Sequence, residues 1–307
     1  MRSMIRSLYQ IANKSFIVQL MEFHLLRKLT KPGAIALYYS RFGNFGDELN
    51  DDLMRFLNIS YRHSRPYVAN LCCIGSNLQQ FTSGTGKKLS DSHVLNVLGS
   101  GFISPNKGSH ESFCFDMRIY ALRGELSKIR CEKILGYKLE NVTLGDPGLL
   151  VKDIFKPFKI RKKYDVGIIL HMVDKNNALL QKIKLEKHKV TYIDIELEPK
   201  LFVKRVAECD FILSSAMHGL ICADSLGIPN KHIMVSNSVV GGTYKFKDYY
   251  SVFNGFEYDP ICLADQIVTD NDIKTYKNSY TINRSDVKKI RKKLIEAFKQ
   301  YMKDNKL

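Results

Sequence analysis

The chain has 307 residues and a formal net charge of +16, a length that suits two domains of about 150 residues and a charge that draws anionic partners without naming them. Hydrophobic residues at 45% and charged residues at 25% fit a globular protein, and no apolar run of about 18 residues is present to cross a bilayer. Seven cysteines, at 72, 73, 114, 131, 209, 222 and 262, make an odd set without a Cys-x-x-Cys pair or zinc spacing, so they read as reduced thiols of a cytosolic protein.

Residues 3–29 predict a basic helical start with Arg6, Lys14, Arg27 and Lys28. Its apolar piece FIVQLM is cut short by Glu22 and lacks a small-residue cleavage site, which argues against a secretory signal. "KPG" breaks the pattern, and AIALYYS then reads as a buried strand. The loop RFGNFGDE follows, with Arg41, Asn44, Asp47 and Glu48 in a few residues. It lacks both the Gly-Lys-Ser/Thr of a P-loop and the dinucleotide fingerprint. It reads as a turn in which Asn44 and Asp47 cap the next helix, or as a place where Asp47 or Glu48 meets a hydroxylated substrate or takes its proton.

Leu49, Leu53, Phe56 and Leu57 recur at helical spacing, and further strands are expected at LCCIG, HVLNVLGSGF and RIYALRG. Arg123 closes the last of these, just before the helix GELSKIRCEKIL. Its planar fork suits a carboxylate or a phosphate, or else an interdomain ion pair. After TLGDPGLLV, the charged connection KPFKIRKK at 156–163 places a domain boundary, giving units 1–155 and 156–307.

The second unit reads as strand YDVGIIL, helix NNALLQKIKLE, strand VTYIDIE, helix PKLFVKRVAE, strand DFILSS, helix HGLICADSL and strand KHIMVS. Strands alternating with helices predict an α/β fold of parallel sheets covered on both faces. Ligands in such sheets collect beyond the carboxyl ends of the strands. Ser214, Ser215, Met217, His218 and Gly219 stand at such an end, where first-turn amides and the helix dipole favour an anion. Glycine at 219 allows close approach of a ligand, and His218 adds a donor or a proton. GGTYKFKDYYS, with Lys245 and Lys247, reads as a basic aromatic loop able to close over an anion or a sugar ring.

In the C-terminal segment, Ser285 is the expected N-cap, and Val287, Ile290, Leu294, Ala297, Phe298 and Tyr301 share one face. The lysines on its other face, with those of the N-terminal stretch, predict attraction to an anionic membrane surface. No helix-turn-helix, zinc-finger or ribonucleoprotein signature accompanies the charge, so no nucleic-acid partner is expected.

In order and separation, NFGDELN, VLGSGF, LRGELSKI, LGDPGLLV, SSAMHGLICADSLGIPN and KFKDYYS resemble the polysaccharide pyruvyl transferase family over roughly residues 33–255. The resemblance implies two Rossmann-like domains facing a central cleft, as in GT-B glycosyltransferases. It also implies transfer of the enolpyruvyl carbons of phosphoenolpyruvate to a saccharide, free or lipid-linked, as a ketal across two hydroxyls. Phosphoenolpyruvate is a co-substrate, with no further cofactor and no metal.

The resemblance places phosphoenolpyruvate on Arg123 and on the His-Gly segment, Ser214 to Gly219. Many family members carry an arginine two residues before the histidine, where this chain has Ala216, so Lys245 or Lys247 is expected to replace that contact, with Arg41 as a further substitute. The roles expected are His218 as acid or phosphate ligand, and Asp47, with Arg41, Asn44 and Glu48, on the acceptor. A nucleotide-sugar glycosyltransferase and a non-catalytic polysaccharide-binding protein are the competing readings.

Overall fold

The computed structural model describes Met21 and residues 34–85, 87–105, 110–156 and 160–307. The expected basic helix at 3–29 lies outside the described residues apart from Met21, and so does part of the connection at 156–163. Two parallel sheets organise the rest. The first contains β1 (Ile35–Tyr38), β2 (Tyr61–His63), β3 (Leu71–Cys72), β4 (Val94–Leu98), β5 (Asp116–Leu122) and β6 (Thr143–Leu144), in the order β2-β1-β3-β4-β5-β6. The second contains β7 (Tyr164–Ile169), β8 (Val190–Ile193), β9 (Cys209–Ser214), β10 (Asn230–Met234) and β11 (Ile261–Cys262), in the order β8-β7-β9-β10-β11.

Every pairing within the two sheets is parallel. The expected α/β class with parallel sheets is therefore present. In each sheet the second strand lies to one side of the first, and the third returns to the other side. The chain thus reverses between β1 and β3, and again between β7 and β9, and the crevice beyond such a reversal is where open α/β sheets bind ligands.

Helix α1 (Phe45–Phe56) starts at Asn44, whose side chain accepts from the amide of Asp47, and it buries Phe45, Leu49 and Leu53. It joins the two sheets. Phe45 donates its amide to the carbonyl of Ile195 at 2.7 Å and stacks on Phe202 with ring centroids 4.2 Å apart. Phe202 belongs to α3 (Pro199–Ala207), which follows α2 (Glu125–Leu135) in the chain; α4 (Met217–Leu226) comes next. One apolar cluster runs without a break from Leu37 and Leu49 through Ile169 and Phe202 to Leu294.

Two elements differ from the sequence expectation, and so does the cap of a third. Residues 176–186, expected as one helix, form a 3-10 turn (Ala178–Lys182) capped by Asn177 and a short strand in which Ile183 pairs with Val268. Leu179, Leu180, Ile183 and Leu185 all pack, from this irregular path, against a second apolar cluster around Val166, Phe211 and Val268, so tertiary burial overrides helical propensity. Residues 244–250, expected as a loop, form helix α5 (Tyr244–Tyr250), with Lys245, Phe246, Asp248, Tyr249 and Tyr250 buried.

At the C-terminal end, α6 (Asp270–Ser279) is followed by α7 (Arg284–Asp304). The cap of α7 is Asn283, which accepts from the amide of Asp286; the hydroxyl of Ser285, the expected cap, donates to Asn283 instead. The predicted apolar face of α7 is the buried one. It packs on the first sheet, against β5 and β6, and not on the second. Tyr120 of β5 donates to Asp304 at 3.0 Å, and Arg291 donates to Asp153 at 2.7 Å.

Candidate active site

The two chain reversals face one another, and between them lies a cavity of about 160 Å³. Ser40 comes from the end of β1, Asn44 and Asp47 from α1, and Ser76 and Asn77 from the loop after β3. Across from them stand His171 after β7, Met217 and His218 at the start of α4, and Lys245 on α5. A larger cavity of about 450 Å³ lies where β9 and β10 begin, beside Asp210 and Pro229. That is the amino end of the second sheet, where no switch-point chemistry is built, and none of the expected site residues lines it.

The start of α4 is shaped to receive an anion. Its N-cap position is Ala216, which has no side chain to accept from the first turn, so the amides of Met217 and His218 are donors without an intrahelical partner. The loop before them is rigid. The hydroxyl of Ser214 accepts from the amide of Ala216 at 3.1 Å and donates to its carbonyl at 2.9 Å, while that of Ser215 accepts from the amide of His171 at 2.9 Å. Both serines are spent on the backbone, and Gly219 is packed against Ser214 and Ile169.

His218 lies flat over Gly46 of α1, so close that a methyl group at 46 would fall inside the imidazole. The residue keeps part of its surface open at the cavity, whereas Nε2 is buried and has no hydrogen-bond partner among the described residues. Desolvation, with help from the charges of Lys245 and Arg123, pushes its pKa down to about 3. The ring is therefore neutral at pH 7. Of the two roles expected of His218, acid or phosphate ligand, a neutral ring suits the second as a hydrogen-bond donor or acceptor.

Lys245 is 8% exposed, and no hydrogen bond or ion pair engages its ammonium among the described residues. Burial, joined by the charge of Arg123, lowers its pKa to about 8 against the opposing pull of Asp47 and Asp174. Asp47, also 8% exposed, accepts from the side chain of Asn44. Desolvation raises its carboxyl to about 7 against the hydrogen bond from Asn44. An acid and a cation thus share the cavity, both poised near neutrality. Lys247, the alternative to Lys245, is exposed on the far side of α5 and does not line the cavity.

Arg123 stands one layer behind the wall. It is 0% exposed and donates to Asp248 at 2.9 Å, to the hydroxyl of Ser76 at 2.6 Å and to the carbonyl of Phe102 at 2.5 Å. Asp248 also accepts from the amide and hydroxyl of Ser127 at 2.8 and 2.6 Å, so α5 of the second half is pinned to the start of α2 in the first. The ion-pair alternative describes this geometry, and direct contact with a ligand does not. The positive charge of Arg123 reaches the cavity through Ser76.

Arg41 is exposed and donates to Tyr39, and Glu48 faces away from the cavity. The sequence reading missed Ser40, Ser76, Asn77, His171 and Asp248. For 75–77, Gly-Ser-Asn directly after a buried strand was the available signal: Gly75 takes a positive φ of 119°, and the side chain of Asn77 turns back to the carbonyl of Ile74 at 3.0 Å. Among the described residues, no group of three or more His, Cys, Asp or Glu could hold a metal ion.

The fold and the site define an α/β protein of two parallel sheets, with an uncapped helix start and a lysine in the cavity between them. Residues 114–237, which include Arg123 and His218, match the model of the polysaccharide pyruvyl transferase family. It is 28% identical over 230 residues to the succinoglycan biosynthesis protein ExoV of Rhizobium meliloti, covering 73% of this chain and 66% of that protein. It is 37% identical over 149 residues to an uncharacterized protein of Acanthamoeba polyphaga mimivirus, covering 47% of this chain and 52% of that one. The matches thus span less than two thirds of either relative. A solved structure from Klebsiella pneumoniae, of uncharacterized function, aligns at a TM-score of 0.38 and 14% identity, over 79% of this chain and 96% of that one.

Proposed function

We propose that this chain transfers the enolpyruvyl group of phosphoenolpyruvate to a saccharide in the biosynthesis of a surface polysaccharide, forming a pyruvate ketal. The family match and the similarity to ExoV support a pyruvyltransferase role. The observation that carries the donor is Lys245, a buried cation without a counter-ion, set opposite the uncapped start of α4. Phosphoenolpyruvate brings a carboxylate and a phosphate to a place that offers an ammonium, two free amides, the hydroxyls of Ser40 and Ser76, and the open part of the His218 ring. A cavity of about 160 Å³ is below the roughly 300–1,000 Å³ of clefts for drug-sized ligands, which favours a three-carbon phosphate over a nucleotide sugar.

In this reading Asp47, protonated below its pKa of about 7, gives its proton to the methylene carbon and so makes a methyl group. The neighbouring carbon becomes electrophilic, a sugar hydroxyl adds to it and loses its proton to Asp47, and phosphate departs. A second hydroxyl then closes the ketal, and its proton leaves with the phosphate. Lys245 and the α4 amides hold the anion throughout. The neutral ring of His218 forms a wall of the anion site, and Arg123 orients Ser76. The two sheets act as Rossmann-like halves on either side of the site, in the manner of GT-B enzymes. Among the described residues no helix is long and apolar enough to cross a membrane. The lysine-rich face of α7 suits peripheral contact with the anionic inner face of a membrane, where a lipid-linked acceptor would lie.

The test is incubation with phosphoenolpyruvate and a panel of free and lipid-linked saccharides. Phosphate release matched by an acceptor mass gain of one pyruvyl ketal is the expected result. Release without any mass gain, or no release with any acceptor, overturns the proposal.

A further inference from the structure

A second cavity, of about 220 Å³, adjoins the first along the carboxyl edge of the second sheet, and the donor chemistry makes no use of it. Residues adjacent or one apart in the chain divide the two. Ala216 faces the first and Ser215 the second; Lys245 faces the first and Phe246 the second; Met172 faces the first and Asp174 the second. Ligands in the two cavities would therefore lie side by side, separated by one layer of chain.

The cavities differ in sign. Asp174 is 0% exposed; its Oδ1 accepts from the hydroxyl of Ser236 at 2.6 Å, and its Oδ2 has no hydrogen-bond partner among the described residues. A buried acceptor left without a donor costs about 1–3 kcal/mol, and more when charged, so the site suits a ligand that brings a donor. An anion is repelled by that oxygen. A metal ion finds too few ligands among the described residues, and an organic cation meets the charge of Lys245 across the partition. A neutral molecule rich in hydroxyls remains. The volume holds about seven waters at roughly 30 Å³ each, the scale of one sugar ring, and one wall is Phe246, stacked on His232 with ring centroids 3.8 Å apart, an apolar face for the C–H side of a pyranose.

We infer that this second cavity is a saccharide subsite, in which Asp174 Oδ2 accepts a hydrogen bond from a hydroxyl of one pyranose unit and turns its neighbouring hydroxyls toward the first cavity. The assignment of that sugar as acceptor rests on the pyruvyl-transfer reading; the binding of a sugar there does not. Asp174 is a positioning residue for the transfer.

The experiment measures binding, not turnover. Methyl β-D-glucoside and methyl β-D-galactoside are tested by saturation-transfer NMR on the wild type, on Asp174→Asn, and on Asn237→Trp, which plugs the cavity from an exposed rim position and spares the fold. Phosphoenolpyruvate binding is followed on the same samples by thermal shift. Loss of about tenfold or more in glycoside affinity in both variants, with the phosphoenolpyruvate shift retained, is expected. Unchanged glycoside binding in the variants, or none in the wild type, overturns the inference and leaves the donor reading standing. A wild type that binds glycoside through Asp174 but shows no phosphoenolpyruvate shift sinks the donor reading and keeps the subsite.

Discussion

Lys245 carries the anion reading at the scale of one residue. A desolvated ammonium without a counter-ion, with the ring of Phe246 beside it at 5.5 Å, is unfavourable, and its depressed pKa of about 8 means that the folded state carries this penalty in full below pH 8 and is relieved of it as pH rises toward the ordinary lysine value. Lys245→Met should therefore raise the melting temperature at pH 7, by an amount on the order of 1–3 kcal/mol in stability, while weakening phosphoenolpyruvate binding at least tenfold by calorimetry. A destabilised variant with unchanged affinity would contradict the assignment. The pH dependence of binding follows from the same pair. Asp47 loses its proton near pH 7 and Lys245 near pH 8, and each loss makes the cavity more negative. Affinity for phosphoenolpyruvate should fall across roughly pH 6.5–8.5, and in Lys245→Met the upper part of that fall should disappear.

At the scale of elements, the site depends on how closely α1 and α4 approach, and Gly46 sets that distance. Gly46→Ala would push the His218 ring off α1, with an expected loss of about 1–3 kcal/mol in chemical denaturation and of phosphoenolpyruvate binding. Retained binding in this variant would show that the ring is not part of the anion site. Elements with a continuous buried stretch were legible in the sequence: IALY and the FIL of β9 are unbroken apolar runs, and the face of α7 repeats at helical spacing. Helix α5 was not, because KFKDYY alternates charge with aromatic rings and its charged members Lys245 and Asp248 are buried by tertiary contacts alone. Of the site, His218, Asp47 and Lys245 were readable from their places in loops after strands. Ser76, Asp174 and Asp248 were not, since each takes its meaning from partners in distant segments.

For the whole molecule, the two halves share one core and one polar interface, so its weak points act globally. His218 and His232 are both held near pKa 3 by burial, whereas in the unfolded chain they titrate near 6.5. Between those values the unfolded state binds more protons, so stability must fall as pH drops from 6.5 toward 3. His232→Phe, which keeps the stack on Phe246, should flatten the decline in melting temperature between pH 6.5 and 4; an unchanged slope would remove His232 from the account.

The return of α7 to the first sheet bears on biosynthesis. Strands β5 and β6 leave the ribosome long before the helix that covers them, with Ile290 and Leu294 packed over Gly145. Until residues near 300 are translated, that apolar surface is bare, and the nascent first half is open to aggregation or to a chaperone's hold.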